Sequence, residues 1–528
     1  MKKREAIARA LPWLVLAAAY ALSVAFIARC GMHNLNADDA SEMVLASLLN
    51  REGALLSRNW LYSSELRLLS PVPLYQLGLL LFPGSWHAAR TFAIAVVMLL
   101  IAAAMLYALG GLGLRRCAPW LTAVFMLPFS QPYAYIILYE CYYSMHFVLS
   151  LVMLGLLCRV SRVGLRRGKG STALLVLLGL LGGLNGVRML TSFIVPAAAA
   201  GALLAAGEMR RRARCREAVH TQAVRLGAAG VLTALAAGAG YLANMKGLSR
   251  VYQYATYGDM VFTEFRLDDF WHQFDGIVQS FGYRANAPFF SPQGVACLVA
   301  LALTVAVALS CVVLARSFGD LPAEHRLLLL TAVLAIALGM VLNVLLSQYM
   351  TRYFFIGILL LVLVLAAALE RGLCVNSTLR RGAWALLAGC FLFQTSCAMR
   401  YDYTQGEVNY EMAADWLLEN GYTQGYATFW NANLLTEASD GQIEMWVLSD
   451  RGEAEWTGMK LHTMLQEASH LTRDPQGRVF LLVDEIENQA DAPLLDEGHL
   501  VGELVGWSYY VYGYESVDEM RALIGGGQ

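Results

Sequence analysis

Charge is scarce in this sequence: of its 528 residues only 15% are Asp, Glu, Lys or Arg, against 58% hydrophobic, and the mean hydropathy is +0.50. A water-soluble chain of this length carries more charge, and the repeated long apolar runs exceed what a globular core needs. A soluble enzyme is thereby excluded and a polytopic membrane protein implied. Paired cysteines are also missing. The 10 cysteines form no Cys-x-x-Cys pair and none lies in the last 128 residues, which argues against a disulfide framework or a zinc site. Cys30 and Cys141 are both expected on the outer side and are read as two unrelated thiols. Basic residues are nearly absent from the C-terminal part. From Tyr401 onward 5 Lys and Arg face 23 Asp and Glu, so that part carries about -18 and the remainder about +17. The split implies two compartments, with an acidic module at the C-terminus. A cleavage site is lacking too. The start "MKKREAIARALPWLVLAAAYALSVAFIARC" has a basic lead and a long apolar run but no small-x-small motif after it, so it reads as an uncleaved first span.

What is present is a series of apolar segments long enough to cross a bilayer, which takes about 20 residues each, with Lys and Arg gathered in the connections expected on the cytoplasmic side. Placing "KKRE" inside gives spans at about 11–28, 88–112, 118–137, 142–158, 171–185, 190–206, 226–244, 292–315, 327–346, 353–369 and 382–399. About eleven transmembrane helices put the N-terminus in the cytoplasm and the C-terminal module outside. Two large outer loops result, 29–87 and 245–290. The apolar "PVPLYQLGLLLFPG" holds about 12 helical residues, only about 18 Å, and is expected as an interfacial helix on the outer face. In "RLDDFWHQFDGIVQSFGY" the residues Leu267, Phe270, Trp271, Phe274, Ile277, Val278 and Phe281 share one face at helical period. That pattern fits a surface helix walling an active site, or a lid packed on the bundle.

The fold expected is therefore an all-α polytopic membrane bundle over 1–400, with juxtamembrane helices in its outer loops, plus a small α/β domain over 401–528. Within the latter, "EVNYEMAADWLLENG" reads as a helix stopped by Gly421 and "GYATFW" as a strand. "NANLLTEASDG" reads as a helix with Asn431 as N-cap, and "QIEMWVLS", "RVFLLVDE" and "GWSYYVYGYES" as strands. Asp484 and Glu485 stand at a strand end without a nucleophile, metal spacing or glycine-rich phosphate loop. The domain is expected to dock an acceptor or to cap the outer face.

The chemistry-bearing side chains sit at the outer ends of spans. Asp38, Asp39 and Glu42 follow the first span, Glu65 lies in the same loop, and Glu140 stands where the third and fourth spans meet. Arg188, Lys246, Arg250 and Arg352 supply cations on a side where positive charge is unusual. Carboxylates and guanidinium groups together suit a lipid-phosphate leaving group and an acceptor nucleophile. A carboxylate can take the acceptor's proton while Arg holds the departing phosphate through charge-assisted, bidentate hydrogen bonds. The candidate catalytic residues are Asp38, Asp39 and Glu140. Candidate substrate contacts are Arg352, Arg188, Lys246, Trp60, Tyr62 and Glu65. Plainer roles compete with each. Asp38 and Asp39 could cap the following helix, although one residue suffices for a cap. Arg188 and Arg352 could reach lipid headgroups, and Glu65 could pair with Arg58 or Arg67.

These features resemble the GT-C superfamily of polytopic glycosyltransferases, which includes dolichyl-phosphate-mannose protein mannosyltransferases and lipid A aminoarabinose transferases. The likeness rests on Asp38-Asp39-Ala40 in a large first outer loop, the Pro-containing "SPVPLYQLGLLLF", and the Arg-led span "HAARTFAIAVVMLL". It also rests on Glu140 opening the fourth span and on Arg352-Tyr353 in "TRYFFIGILLL". It spans roughly residues 5–400 in layout and a few short motifs in identity. The resemblance implies transfer of a sugar, with inversion, from a polyprenyl-phosphate or polyprenyl-diphosphate donor to an envelope glycan, lipid or protein acceptor on the outer face. It further implies Asp38 as base, Asp39 as its acidic neighbour, Glu140 as the second acidic position and Arg352 as the donor-phosphate contact. Asp-Asp stands where the family often has Asp-Glu or Asp-x-Asp. The choice of base and the need for a divalent cation as cofactor are thus left open. Two other classes stay open, a transporter or flippase of lipid-linked sugars and a non-enzymatic envelope protein. Nucleic-acid binding finds no support, because the basic loops are accounted for as cytoplasmic connections.

Overall fold

The computed structural model describes residues 2–524, apart from 65, 140–141, 216–220, 255–263, 265, 347–349, 372–375, 404–408, 450–459, 486, 488–496 and 505–508. Each expected apolar segment is helical. Eight helices among the described residues are long and apolar enough to cross a membrane, nine if a bent pair counts as one span. Two more segments form the shorter helices Lys169–Leu184 and Phe355–Arg371. The chain is a multi-pass membrane protein.

The first long loop folds into several short elements. After α1 (Lys2–Cys30) comes α2 (Ala37–Glu52), then a short strand β1 (Trp60–Tyr62) and the apolar α3 (Val72–Leu81). Helix α3 is too short to span. It packs on α2 and on α4 (Trp86–Gly111) while Leu77, Leu80 and Leu81 stay exposed, as an interfacial helix requires.

The third segment departs from a straight span. Helices α5 (Ala118–Met126) and α6 (Gln131–Tyr133, continued as a π-helical turn to Tyr139) meet at 85°. Leu127, which precedes Pro128, leaves the helical region at φ -102°, ψ 143°, because proline crowds the preceding residue out of that conformation. Ser130 then caps the second half by accepting from Tyr133 N at 3.1 Å. Two further π-helical turns, Leu190–Ile194 and Ala243–Gly247, lie beside the expected outer ends of the sixth and seventh spans. Such turns recur at functional sites.

The second long loop carries the helix Leu267–Gln279, which packs on the Pro292–Arg316 and Ala323–Leu345 helices. Leu267, Trp271 and Phe274 are exposed, while Gln273 and Gly276 face the bundle. The apolar stripe is thereby divided, with Phe270, Ile277 and Phe281 packed on the bundle, and Asn343 Nδ2 also holds the helix by donating to Gln273 Oε1 at 2.9 Å.

The C-terminal domain is α/β, as expected. Its five-stranded sheet has the order β4-β3-β6-β8-β7, from β3 (Gln424–Thr428), β4 (Glu444–Leu448), β6 (Val479–Asp484), β7 (Leu500–Leu504) and β8 (Tyr509–Tyr514). Strands β3, β4 and β6 run parallel and β7 and β8 pair antiparallel. The helix after β3 begins at Phe429 with Thr428 at its N-cap, three residues before the expected start. Asn431 is not a cap; it lies inside the helix and accepts from Tyr509 O–H at 3.1 Å.

A small second sheet, order β2-β1-β5, is decisive for assembly. It joins β1 of the first outer loop to β2 (Gln253–Tyr254) of the second and to β5 (Gln466–Glu467) of the C-terminal domain. All three outer segments thereby form one layer over the helix bundle.

Candidate active site

The structure answers first which residue caps α2. It is Asn36, whose side chain accepts from Asp39 N at 3.0 Å and donates to Tyr135 O–H at 2.8 Å. Asp38 and Asp39 are thus released from capping, while the positive end of the helix still favours their charge. Asp38 and Glu42 are one helical turn apart and share a face. With Asp39 they line a narrow cleft whose other walls are Arg67, Tyr143, Arg188 and Arg352. Segments distant in the chain, from the first loop to the ninth connection, meet here.

The two aspartates occupy different environments. Asp38 is half-exposed and its Oδ2 lies 3.9 Å from Arg352 Nη1. Asp39 is 3% exposed. Arg352 and Arg188 both stack on the ring of Tyr353, at 5.7 and 5.2 Å from its centroid, and Arg188 Nη1 donates to Tyr143 O–H at 3.0 Å. Two guanidinium groups held against one aromatic ring are pre-oriented for an oxyanion.

Glu42 is buried, with Arg67 Nη1 3.6 Å from its Oε1. Burial pushes its carboxyl up to about 7; the nearby Arg67 and Arg90 oppose the rise and Asp38 adds to it. Among the described residues the cleft brings the guanidinium groups of Arg67, Arg188 and Arg352 to the carboxyl groups of Asp38, Asp39 and Glu42.

The loops bearing these cations are anchored locally. Asn185 brackets Leu69, accepting from its N–H at 2.7 Å and donating to its C=O at 3.2 Å, and Asn244 Nδ2 donates to Leu66 O at 2.6 Å. Arg67 sits between these anchors. Gly186, at φ +93°, makes the turn that presents Arg188. Arg352 lies in the turn Thr351–Tyr353, which approaches the Leu267–Gln279 helix at Gly276. A Cβ there would come within 2.2 Å of Thr351 Oγ1.

Of the residues singled out from the sequence, Asp38, Asp39, Arg188 and Arg352 converge. Glu65 and Glu140 lie outside the described residues, as does Cys141. Lys246 is exposed on the Ala243–Gly247 turn and does not line the cleft. Trp60 and Tyr62 also stand away from it. Trp60 is 1% exposed in β1, and the Tyr62 hydroxyl accepts from Ser57 N and donates to Ser57 O. Sequence reasoning missed Arg67 and Tyr143 as cleft residues and gave Glu42 no role. The i, i+4 spacing of Asp38 and Glu42 was the available signal; nothing local marks Arg67 or Tyr143. Among the described residues no cluster of three or more His, Cys, Asp or Glu side chains could hold a metal ion.

Behind the cleft, Arg90 joins three parts of the molecule. It makes a buried ion pair with Glu437 of the C-terminal domain, with Nη2 2.7 Å from Oε2. The same guanidinium donates to the Asp39 backbone carbonyl at 2.9 Å and to Tyr75 O–H of α3 at 3.2 Å.

No family model and no curated protein sequence matches the chain. Solved structures do. The structure of ArnT from Cupriavidus metallidurans bound to undecaprenyl phosphate aligns with a TM-score of 0.56 and 14% identity, over 95% of this chain and 98% of that one. Its apo form gives 0.54 and 13%, over 96% and 98%. An oligosaccharyltransferase from Archaeoglobus fulgidus gives 0.47 and 13%, over 92% of this chain and 70% of that one. The overall fold, membrane bundle and C-terminal domain together, is similar to that of ArnT.

Proposed function

We propose that this chain is a membrane glycosyltransferase that moves a sugar from a polyprenyl-phosphate donor to an envelope acceptor on the extracytoplasmic face. The observation carrying this reading is the convergence of Asp38 with Arg188 and Arg352 in one cleft, 3.9 Å separating Asp38 from Arg352. ArnT, with the same fold, has been crystallised bound to undecaprenyl phosphate, which supports a lipid-phosphate leaving group here. In this scheme Asp38 removes the proton from an acceptor hydroxyl or amine. The acceptor atom attacks the anomeric carbon from the face opposite the phosphate, and the bond from that carbon to the phosphate oxygen breaks. The electron pair leaves with polyprenyl phosphate, whose charge Arg352 and Arg188 stabilise. Asp38 rather than Asp39 is assigned as base because it is half-exposed and faces the guanidinium groups, whereas Asp39 is buried. Exposed Leu267, Trp271 and Phe274 on the bilayer side offer an apolar surface to the isoprenoid chain.

The test is comparison of envelope glycans by mass spectrometry in a host with the gene intact, deleted, or carrying Asp38→Asn. Loss of one sugar residue in both the deletion and the variant is expected. Glycans unchanged by deletion would overturn the proposal.

A further inference from the structure

A second cavity lies on the other side of α2. Val44, Ser47 and Arg51, spaced three and four residues apart, face away from the cleft that Asp38 and Glu42 line, and together with Trp86 and the C-terminal domain they enclose about 650 Å³. That volume is in the range of small-molecule sites, and the side chains around it define what would fit.

The charges in this groove are spent on one another. Arg51 pairs with Glu467, and Glu444 is bound by both Arg473 and His470, the latter with Nε2 at 3.2 Å. Arg473 is further stacked over Trp446, 5.1 Å from its ring centroid. The groove thus offers neither a surplus cation for a phosphate nor a surplus carboxylate for an amine. Its uncommitted groups are neutral. The side chains of Ser47, Thr423, Thr436, Gln442 and Ser469 make no hydrogen bond among the described residues. Hydroxyl and amide groups donate and accept alike, which matches sugar hydroxyls. A lipid chain would leave these polar groups without partners.

We infer that this groove binds an uncharged oligosaccharide and holds the non-reacting part of a glycan acceptor while its terminus reaches the cleft across α2. The acceptor role rests on the transferase reading; carbohydrate binding does not. Four of its lining residues come from the membrane part and fourteen from the C-terminal domain, so the groove is complete only in the assembled chain.

The experiment uses the intact protein in detergent. Neutral tri- and tetrasaccharides of hexose and N-acetylhexosamine are tested for binding by saturation-transfer NMR, beside uronic-acid tetrasaccharides and inorganic phosphate. Saturable binding of at least one neutral oligosaccharide is expected, weakened tenfold or more by Gln442→Ala with Ser469→Ala and left intact by Asp38→Asn. Because Gln442 is exposed and Ser469 half-buried, the double variant is expected to fold, which its thermal unfolding checks; Thr423→Val, at an exposed position, provides an independent variant. Absence of neutral binding, equal binding in the groove variants, or preferential binding of the anionic probes each overturns the inference. Intact neutral binding with envelope glycans unchanged by deletion of the gene would instead overturn the transferase reading and leave the groove standing.

Discussion

Asp38 and Asp39 are adjacent in the chain, yet one helical step separates a half-exposed carboxylate from a buried one. Removing the base costs about 10²- to 10⁴-fold when general base catalysis is lost. Asp38→Asn is therefore expected to lower transfer by that factor in proteoliposomes supplied with polyprenyl-phosphate sugar, with the unfolding temperature unchanged. Full turnover by a folded variant would sink the assignment. Glu42 gives the cleft a pH dependence. Its carboxyl, raised to about 7, stays protonated in the folded protein after the unfolded chain has released its proton. Donor affinity should accordingly be highest below pH 7, where Glu42 is uncharged, and fall as pH rises through it, because an ionised Glu42 repels the donor phosphate. The same raised value means that Glu42 favours unfolding increasingly as pH climbs from the ordinary carboxylate range to about 7, and by a constant amount above. The groups facing it are Arg67, Arg90 and Asp38. Glu42→Gln should flatten the alkaline fall in donor affinity, measured by titration of polyprenyl phosphate between pH 5.5 and 8.5. An unaltered profile would remove Glu42 from this role.

At the scale of elements, what aims these side chains is a set of turns rather than long helices. Asn36 sets the start of α2, and replacing it by Ala is expected to cost about 1 kcal/mol from the lost cap, together with the bond to Tyr135. Gly276 sets the position of the Arg352 turn. In Gly276→Ala the new methyl meets Thr351 Oγ1, so the turn must shift. The expected result is a rise in donor KM of tenfold or more with little change in thermal unfolding, since a shifted guanidinium loses its hold on the phosphate before the bundle loses packing. A KM within twofold of the parent would show that the turn tolerates the methyl group. These elements were only partly legible. The 3.6-residue period announced the Leu267–Gln279 helix, but which edge of it is buried depends on Asn343 and Thr351, both far along the chain. The 85° bend after Met126 had a local cue in Leu127-Pro128, whereas β1, β2 and β5 are too short to show any period.

In the whole molecule the outer loops and the C-terminal domain act as one body, and Arg90 is where they are joined. Breaking a buried ion pair from one side leaves a charge uncompensated and costs about 3–5 kcal/mol. Glu437→Gln is expected to lower the unfolding temperature clearly and to reduce transfer, because Arg90 also holds the Asp39 carbonyl. Replacing both partners, as in Arg90→Met with Glu437→Leu, should recover much of the stability without recovering transfer. Recovery of transfer by the double variant would show that the ion pair supports the fold alone and does not position α2.

Composition and periodicity by themselves determined that the chain crosses a membrane many times and ends in an acidic α/β domain. They also located carboxylates and cations at the outer ends of spans, because hydropathy, charge bias and helical period are properties of neighbouring residues. Tertiary structure alone decided which of those groups share a cleft. Asp38 meets Arg352 across more than 300 residues, Arg67 joins them through loop anchors at Asn185 and Asn244, and Tyr143 joins them from the start of the Tyr142–Val163 helix. The groove behind α2 is likewise made of residues from both ends of the chain. Such contacts arise from the packing of whole elements, whose mutual orientation no local pattern encodes.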